Sequence, residues 1–231
     1  MEIVSEILAG AQRDGRKNLL ESEAKTACQA YGIPVTKFNI AREQDEAVKL
    51  AEQLSFPVVL KILSPDIIHK SDIGGVIIGL NTSSEVIEGY RKILENTHKH
   101  CPGAKIVGVL VQEMAPPSTE VIIGAIRDTQ FGPTVMFGLG GIFAEVLNDV
   151  AFRIAPVSKH EADLMITEIK AYPVLKGYRN HPTLDTEIVA DIIVNTSKLI
   201  MSHPLVKELD LNPVLIYERG AQTVDARIIL E

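Results

Sequence analysis

The stretch FPVVLKILSPDIIHKSDIGGVIIGL, residues 56–80, decides how the chain is organised. Its two apolar runs, FPVVLKIL (56–63) and VIIGL (76–80), are short and rich in β-branched residues, so both read as strands. Between them SPDIIHKSDIGG (64–75) carries His69, two aspartates, Lys70 and the pair Gly74 and Gly75. A simple strand connection needs turn residues, not this concentration of ionisable groups. Lys61 ends the run PVVLK, where an ammonium is costly unless it reaches water or an anion. From this residue alone, a lysine snorkelling at a strand end and a point charge aimed at phosphate are both open.

Working outward, Val4, Ile7 and Leu8 share a helical stripe, and ESEAKTACQAYG is a second helix closed by Gly32 at its C-cap. VTKFNIA reads as a strand, QDEAVKLAEQL (44–54) as a helix, and SSEVIEGYRKILENTHKH as a long amphipathic helix opened by serines. This alternation predicts a sheet covered by helices. Beyond CPGAK (101–105), the segments KIVGVLVQEM, EVIIGAIRD, PTVMFGLG, IFAEVL and AFRIAP follow closely, which predicts an antiparallel meander. KHEADLMITEIK and LDTEIVADIIVNTSKLIMSH return to the helical period, and LNPVLIYE and TVDARIILE flank ERGAQ as a C-terminal hairpin. The expected fold class is α+β. Residues 1–20 form a helical segment, 21–102 a first lobe carrying the His69 loop, and 103–231 a second lobe, the two facing across a cleft.

Hydrophobic residues make up 46% of the 231 and charged residues 23%, the balance of an ordinary globular protein. Aromatics are 5% and tryptophan is absent, so the core must come from aliphatic side chains. A net charge of −7 and a pI of 5.4 argue against a nucleic-acid partner, which needs a concentrated cationic face. Cys28 and Cys101 are too few and too far apart for a disulfide framework or a zinc site. The opening MEIVSEILAGAQRDGRK is not a secretory signal, and no run is long enough to span a membrane, so a cytoplasmic location without membrane contact is expected.

ELDLNPV places Glu208, Asp210 and Asn212 at every second position, on one side of a strand. Counting outward from a turn near Gly220 brings Asp225 close to Asn212 in register. Oxygen ligands on neighbouring strands suit Mg²⁺, with water and phosphate oxygens completing its octahedron. The competing reading is the polar face of an exposed hairpin; Leu209, Leu211 and Val214 require only that the other face be buried. GLGGIFAEVLNDVAFRIAP (138–156) has a glycine-rich turn that suits either an oxyanion or simply a tight bend. VQEM (111–114) is a strand with a polar end, followed by the stiff connector APPS.

A loop histidine is ordinarily solvated or capping. As a metal ligand, His69 would want a second His or Cys at close spacing, and none is present. A phosphoryl carrier needs only a neutral imidazole, a mobile loop and stabilisation of the oxyanion. HKSDIGG offers Lys70 for charge, Gly74 and Gly75 for flexibility, and Asp72 to orient the ring.

The motifs ESEAKTACQAYGIPV, FPVVLKILSPDIIHKSDIGGV, VLVQEM, EVIIGAIRD, FGLGGIFAEVLNDVAFRIAP, LKGYRNHP and ELDLNPV with DARI cover essentially the whole chain. Together they resemble the β subunits of ADP-forming acyl-CoA synthetases, and more distantly that of succinyl-CoA synthetase. The resemblance implies an ATP-grasp fold that uses ATP or ADP with Mg²⁺. On these positions it implies that Lys61 binds phosphates, that Glu113 and Met114 meet adenine through the backbone, and that Glu120 contacts ribose. It implies Asn212 and Asp225 as Mg²⁺ ligands with Glu208 and Asp210 as neighbours, and His69 as the second phosphohistidine. Glu145 and Arg153 are implied to line the docking position of a moving histidine. No strand–GxGxxG–helix pattern occurs. The resemblance implies a partner α subunit that carries the CoA-binding Rossmann domain and the first phosphohistidine, and the missing pattern fits a chain that is half of such an enzyme, expected as an α2β2 heteromer. Two other readings remain at this stage. A stand-alone ATP-grasp carboxylate ligase would work through an acyl phosphate and could dispense with His69. A non-catalytic nucleotide-binding regulatory module would be expected to have lost ligands, yet Lys61, His69, Asn212 and Asp225 are all retained.

Overall fold

The structure is a computed structural model that describes residues 2–141, 148–178 and 182–231. The chain opens with α1 (Glu2–Arg13) and α2 (Glu21–Ala30), as the apolar stripe predicts, and Gly32 follows α2 with φ +75°. It divides into two compact units, Thr36–Pro116 and a larger one made of Met1–Val35 with Pro117–Glu231.

The smaller unit runs β1 (Phe38–Ala41), α3 (Gln44–Leu54), β2 (Val58–Leu63), a 3-10 turn (Ser71–Ile73), β3 (Val76–Leu80), α4 (Ser83–His100) and β4 (Gly108–Glu113). Its four strands are antiparallel in the order β1-β4-β2-β3. Alternation sends Val58, Leu60, Ile62, Val109 and Val111 into one core with Ala47 and Ala51 of α3 and Val86, Tyr90 and Ile93 of α4. Val59, Lys61, Leu110 and Gln112 stand on the other face of the same strands. Thr82, rather than the serines, caps α4: its hydroxyl oxygen accepts the Glu85 N–H at 3.2 Å.

In the larger unit follow β5 (Thr119–Asp128), β6 (Gly132–Leu139), β7 (Val150–Ile154), α5 (Lys159–Glu168), α6 (Tyr172–Leu175), α7 (Thr186–Ser202), β8 (Val206–Ile216), β9 (Ala221–Thr223) and β10 (Ala226–Leu230). The sheet order is β10-β8-β5-β6-β7, with β9 continuing the ladder of β8. Val121, Ile123, Ala125, Val135, Phe137, Leu209 and Leu211 face one core with Ala162 and Met165 of α5 and Val189, Ile192 and Ile193 of α7. Arg127 closes the C-terminal end of α7, donating from Nη2 to the Ile200 carbonyl at 2.7 Å.

Two expectations change. The segment 105–114 is not the first strand of the meander; β4 pairs with β1 and β2, so the meander consists of β5, β6 and β7, while IFAEVL (142–147) lies outside the described residues. The first 35 residues do not belong with the segment that follows them. Val4, Leu8, Ala11, Ala24, Ala27 and Cys28 are buried in the larger core, and the Leu19 N–H donates to the Ile228 carbonyl at 3.0 Å. The lobes 21–102 and 103–231 are thus drawn differently from the observed units, because pairing partners distant in sequence recruit both segments. Among the described residues, no helix is long and apolar enough to cross a membrane.

α2 carries a buried ion pair, Lys25 Nζ to Glu21 Oε1 at 3.3 Å, with side chains 0% and 1% exposed. Removing one member strands the other charge, so Lys25→Met is expected to lower unfolding free energy by about 3–5 kcal/mol in urea titration. His203 accepts or donates at Nε2 against the Tyr31 hydroxyl at 2.9 Å, and burial pushes its pKa down. The folded state therefore favours neutral imidazole. Its stabilisation is complete above the ordinary histidine pKa of about 6.5 and is lost as pH falls through the lower folded-state value. His203→Gln is expected to flatten that acid limb of the stability–pH profile, read from urea midpoints across the range.

Candidate active site

Lys61, His69, Glu113 and Met114 belong to the smaller unit; Glu120, Glu208, Asp210, Asn212 and Asp225 belong to the larger. Lys61 is not at a strand end. β2 continues to Leu63, and Lys61 lies between Val76 of β3 and Leu110 of β4, 4% exposed. Buried in mid-strand, Lys61 is not a side chain snorkelling from a strand end.

The loop after β2 is tied at both ends. Asp66 accepts the Lys105 N–H at 2.7 Å and Ile67 is buried in the core under α3 and α4. On the other side, the Gly75 N–H donates to the Lys70 carbonyl at 2.8 Å, and the Gly75 carbonyl accepts from Ile62 at 2.7 Å. The Asn96 amide donates to the Gly74 carbonyl at 2.9 Å. The glycines therefore serve close approach rather than flexibility. A Cβ at Gly75 would lie 2.7 Å from Ile62 Cγ2 and 2.9 Å from the Lys70 carbonyl oxygen. One at Gly74, where φ is +65°, would lie 2.6 Å from Asn96 Nδ2. Ile68 and His69 are exposed at the crest of this pinned loop, and among the described residues no hydrogen bond joins Asp72 to the His69 ring.

Glu113 ends β4. Its carboxylate accepts the Lys37 N–H at 2.7 Å and its own N–H donates to the Lys37 carbonyl at 3.0 Å. The Met114 N–H donates to the Pro57 carbonyl at 3.2 Å. Glu113's side chain thus holds the strand end to Lys37.

In the larger unit, alternation puts Glu120 of β5, Glu208, Asp210 and Asn212 of β8, and Asp225 before β10 on the sheet face opposite the helices. The ladder is irregular where the last two meet. Pro213 cannot donate, the register with β5 shifts, and the Asn212 N–H donates to the Asp225 carbonyl at 3.2 Å. Asn212 is exposed and Asp225 half-buried, which brings an amide oxygen and a carboxylate to one spot. Among the described residues, no group of three His, Cys, Asp or Glu is assembled for a metal. A hard cation that keeps water and phosphate oxygens suits two protein oxygens, so the pair fits Mg²⁺.

Arg227, which the sequence reading passed over, sits on the same face. It donates from Nη2 to Glu208 Oε1 at 2.8 Å and stands 3.7 Å from Asp210 Oδ2. The two-residue period from Asp225 was the available signal. Burial pushes the Asp210 carboxyl up, Arg227 opposes that, and Glu208 and Asp225 reinforce it. Glu208 and Asp210 are therefore engaged with a cation of the protein.

The glycine-rich turn packs against Glu120. The Gly140 N–H donates to the Glu120 carbonyl at 2.7 Å, and a Cβ there would lie 2.9 Å from Glu120 Cβ. Arg153 pairs with Val135 on the helix side of the sheet and reaches Glu168 of α5, so it does not join the other candidates. Glu145 lies outside the described residues. Asp149 was also missed: it is buried and accepts the Lys170 and Ala171 N–H groups at 2.8 and 2.7 Å, tying the end of α5 to β7.

Comparison with known proteins identifies the family. The ATP-grasp domain model matches residues 10–230. The chain is 50% identical over 225 residues to the β subunit of an ADP-forming acetate–CoA ligase I of Pyrococcus furiosus, covering 97% of each. It is 44% identical to an ADP-forming acetate–CoA ligase I of Archaeoglobus fulgidus, where it matches 99% of itself and 33% of that longer chain. It superposes on an acetyl-coenzyme A synthetase 1 of Ca. Korarchaeum cryptofilum, in complex with coenzyme A and Ca-AMPCP, with TM-score 0.96 and 49% identity, covering 98% and 99% of the two chains. A second structure of that enzyme, with coenzyme A and Mg-AMPPCP and its phosphohistidine segment pointing towards the nucleotide site, matches with TM-score 0.88 and 46% identity, covering 99% and 100%. An irregular antiparallel ladder presenting Asn212 and Asp225, a strand-borne Lys61 and family matches over nearly every residue lead to one conclusion: the chain belongs to the ATP-grasp family, among the β subunits of ADP-forming acetate–CoA ligases.

Proposed function

We propose that His69 is a phosphoryl carrier that accepts a phosphoryl group from an α partner and passes it to ADP held by this chain. The overall reaction is acyl-CoA + ADP + phosphate giving carboxylic acid + ATP + CoA. The observation that carries this reading is the pinned loop: it spends its hydrogen bonds on its two ends and leaves one imidazole exposed at its crest. A carrier must be reachable by two reactants in turn, and phosphoryl transfer requires in-line contact each time.

In the first step a lone pair of the neutral imidazole forms a P–N bond as the P–N bond to the donor histidine breaks. In the second, a terminal oxygen of ADP forms a P–O bond as the His69 P–N bond breaks and the ring recovers its lone pair. Lys61 offsets phosphate charge from the strand before the loop, and Glu120 addresses the ribose. The connector Glu113–Met114 meets adenine through its backbone; since the Met114 N–H is spent on Pro57, its carbonyl does so. Asn212 and Asp225 hold Mg²⁺, which when bound neutralises charge on the phosphate oxygens. Glu208 and Asp210 neighbour that pair and are held in place by Arg227. The chemistry belongs to the cytoplasm, where ADP is available, and the working assembly is an α2β2 heteromer.

The test is incubation of the isolated chain with Mg²⁺ and γ-labelled ATP. Wild type is expected to acquire acid-labile, base-stable label and His69→Ala none. An unlabelled wild type, even with the α partner present, would sink the carrier role and favour direct formation of an acyl phosphate. In the same assay Asp225→Ala is expected to raise the Mg²⁺ needed for half-maximal labelling by about 10-fold or more, and Glu208→Gln by much less, scaling from the cost of disturbing metal-site groups. Equal responses from the two variants would count against the Asn212–Asp225 assignment.

A further inference from the structure

The face of the larger sheet opposite the helices extends well beyond the candidate metal pair. Register aligns its side chains in two rows. One runs Ile229, Glu208, Ile126, Thr134, Ile154; the next runs Arg227, Asp210, Gly124, Met136, Phe152. On the β5–β7 side the rows are apolar apart from Thr134, and Ile126, Phe152 and Ile154 are 47%, 51% and 55% exposed. Gly124 contributes no side chain, which leaves a hollow bordered by Met136, Phe152, Glu208 and Asp210. Three large apolar side chains, half-exposed and adjacent, form a contiguous patch of the kind that marks an interaction surface. At its β8–β10 end stand Glu208, Asp210 and Arg227, so an apolar centre meets a polar rim.

We infer that this ledge is where the α partner docks. The inference rests on the function proposed above. Two observations favour that occupant over a second copy of this chain. One relative is a β subunit and another carries this domain as 33% of one longer chain, so a partner of different sequence, rather than a second copy, is the expected neighbour. The ledge also continues along β8 into the candidate phosphate end, Asp210 being two residues from Asn212. A segment that brings a phosphoryl group to that end must lie along this face, whereas a self-contact there would obstruct it. The partner's contacting surface is accordingly apolar, with a hydrogen-bond donor or cation directed at Glu208 and Asp210.

The test measures association of the full chain with its cognate α partner, using wild type, Phe152→Glu, Ile154→Glu and the conservative Phe152→Leu. The charged variants are expected to weaken association at least tenfold. Phe152→Leu should stay within twofold, and melting temperature and Mg-ADP affinity of the isolated chain should be unchanged. In wild type, adding the α partner should slow amide hydrogen exchange in residues 132–136 and 150–154. Unchanged association together with unchanged exchange would overturn the proposal, as would variants that abolish only self-association. Labelling of His69, scored separately, decides the relay without deciding the surface.

Discussion

Strand β8 lies between β5 and β10, and the alternation of its side chains governs the rest of the larger unit. Leu209, Leu211 and Val214 point into the helix-covered core while Glu208, Asp210 and Asn212 point away. Sliding β8 by one residue would expose three apolar side chains, each worth about 1.5–3 kcal/mol when buried, and would bury two carboxylates, a still larger cost. The register is therefore held by opposing penalties. The candidate metal pair exists because that register meets an irregularity: Pro213 interrupts the ladder, and the Asn212 N–H turns to the Asp225 carbonyl instead.

Charge on this face is balanced locally. Burial, Glu208 and Asp225 raise the cost of ionising Asp210, and Arg227, which pairs with Glu208 and stands near Asp210, offsets it. Asn212 and Asp225 together offer an amide oxygen and a carboxylate, the kind of hard oxygen donors that a divalent cation takes. The same strand thus carries a compensated end and an end suited to metal and phosphate, and the apolar ledge begins where compensation does.

The smaller unit solves a different problem, the presentation of one nucleophile on a short loop. Hydrogen bonds to Lys105, Asn96, Lys70 and Ile62 fix the loop on both sides of His69. Ordering those residues costs conformational entropy during folding rather than during each transfer. Under the proposed relay, long travel then falls to the donor histidine, and His69 supplies a fixed point between donor and nucleotide.

Local patterns in the sequence were enough to place β2, β3, α3 and α4, the one-sided set Glu208, Asp210, Asn212, and the near-register of Asp225, because side-chain period and turn chemistry depend on neighbours a few residues away. The motifs also marked Lys61 and His69. Tertiary structure alone decided that β4 leaves the meander for the small sheet, that residues 1–35 join the distant larger core, and that Arg153 faces the helices. It alone showed that Gly74, Gly75 and Gly140 are required by Asn96, Ile62 and Glu120. Strand pairing and close packing are settled by whichever segment arrives from far along the chain, and a single sequence carries no local mark of that arrival.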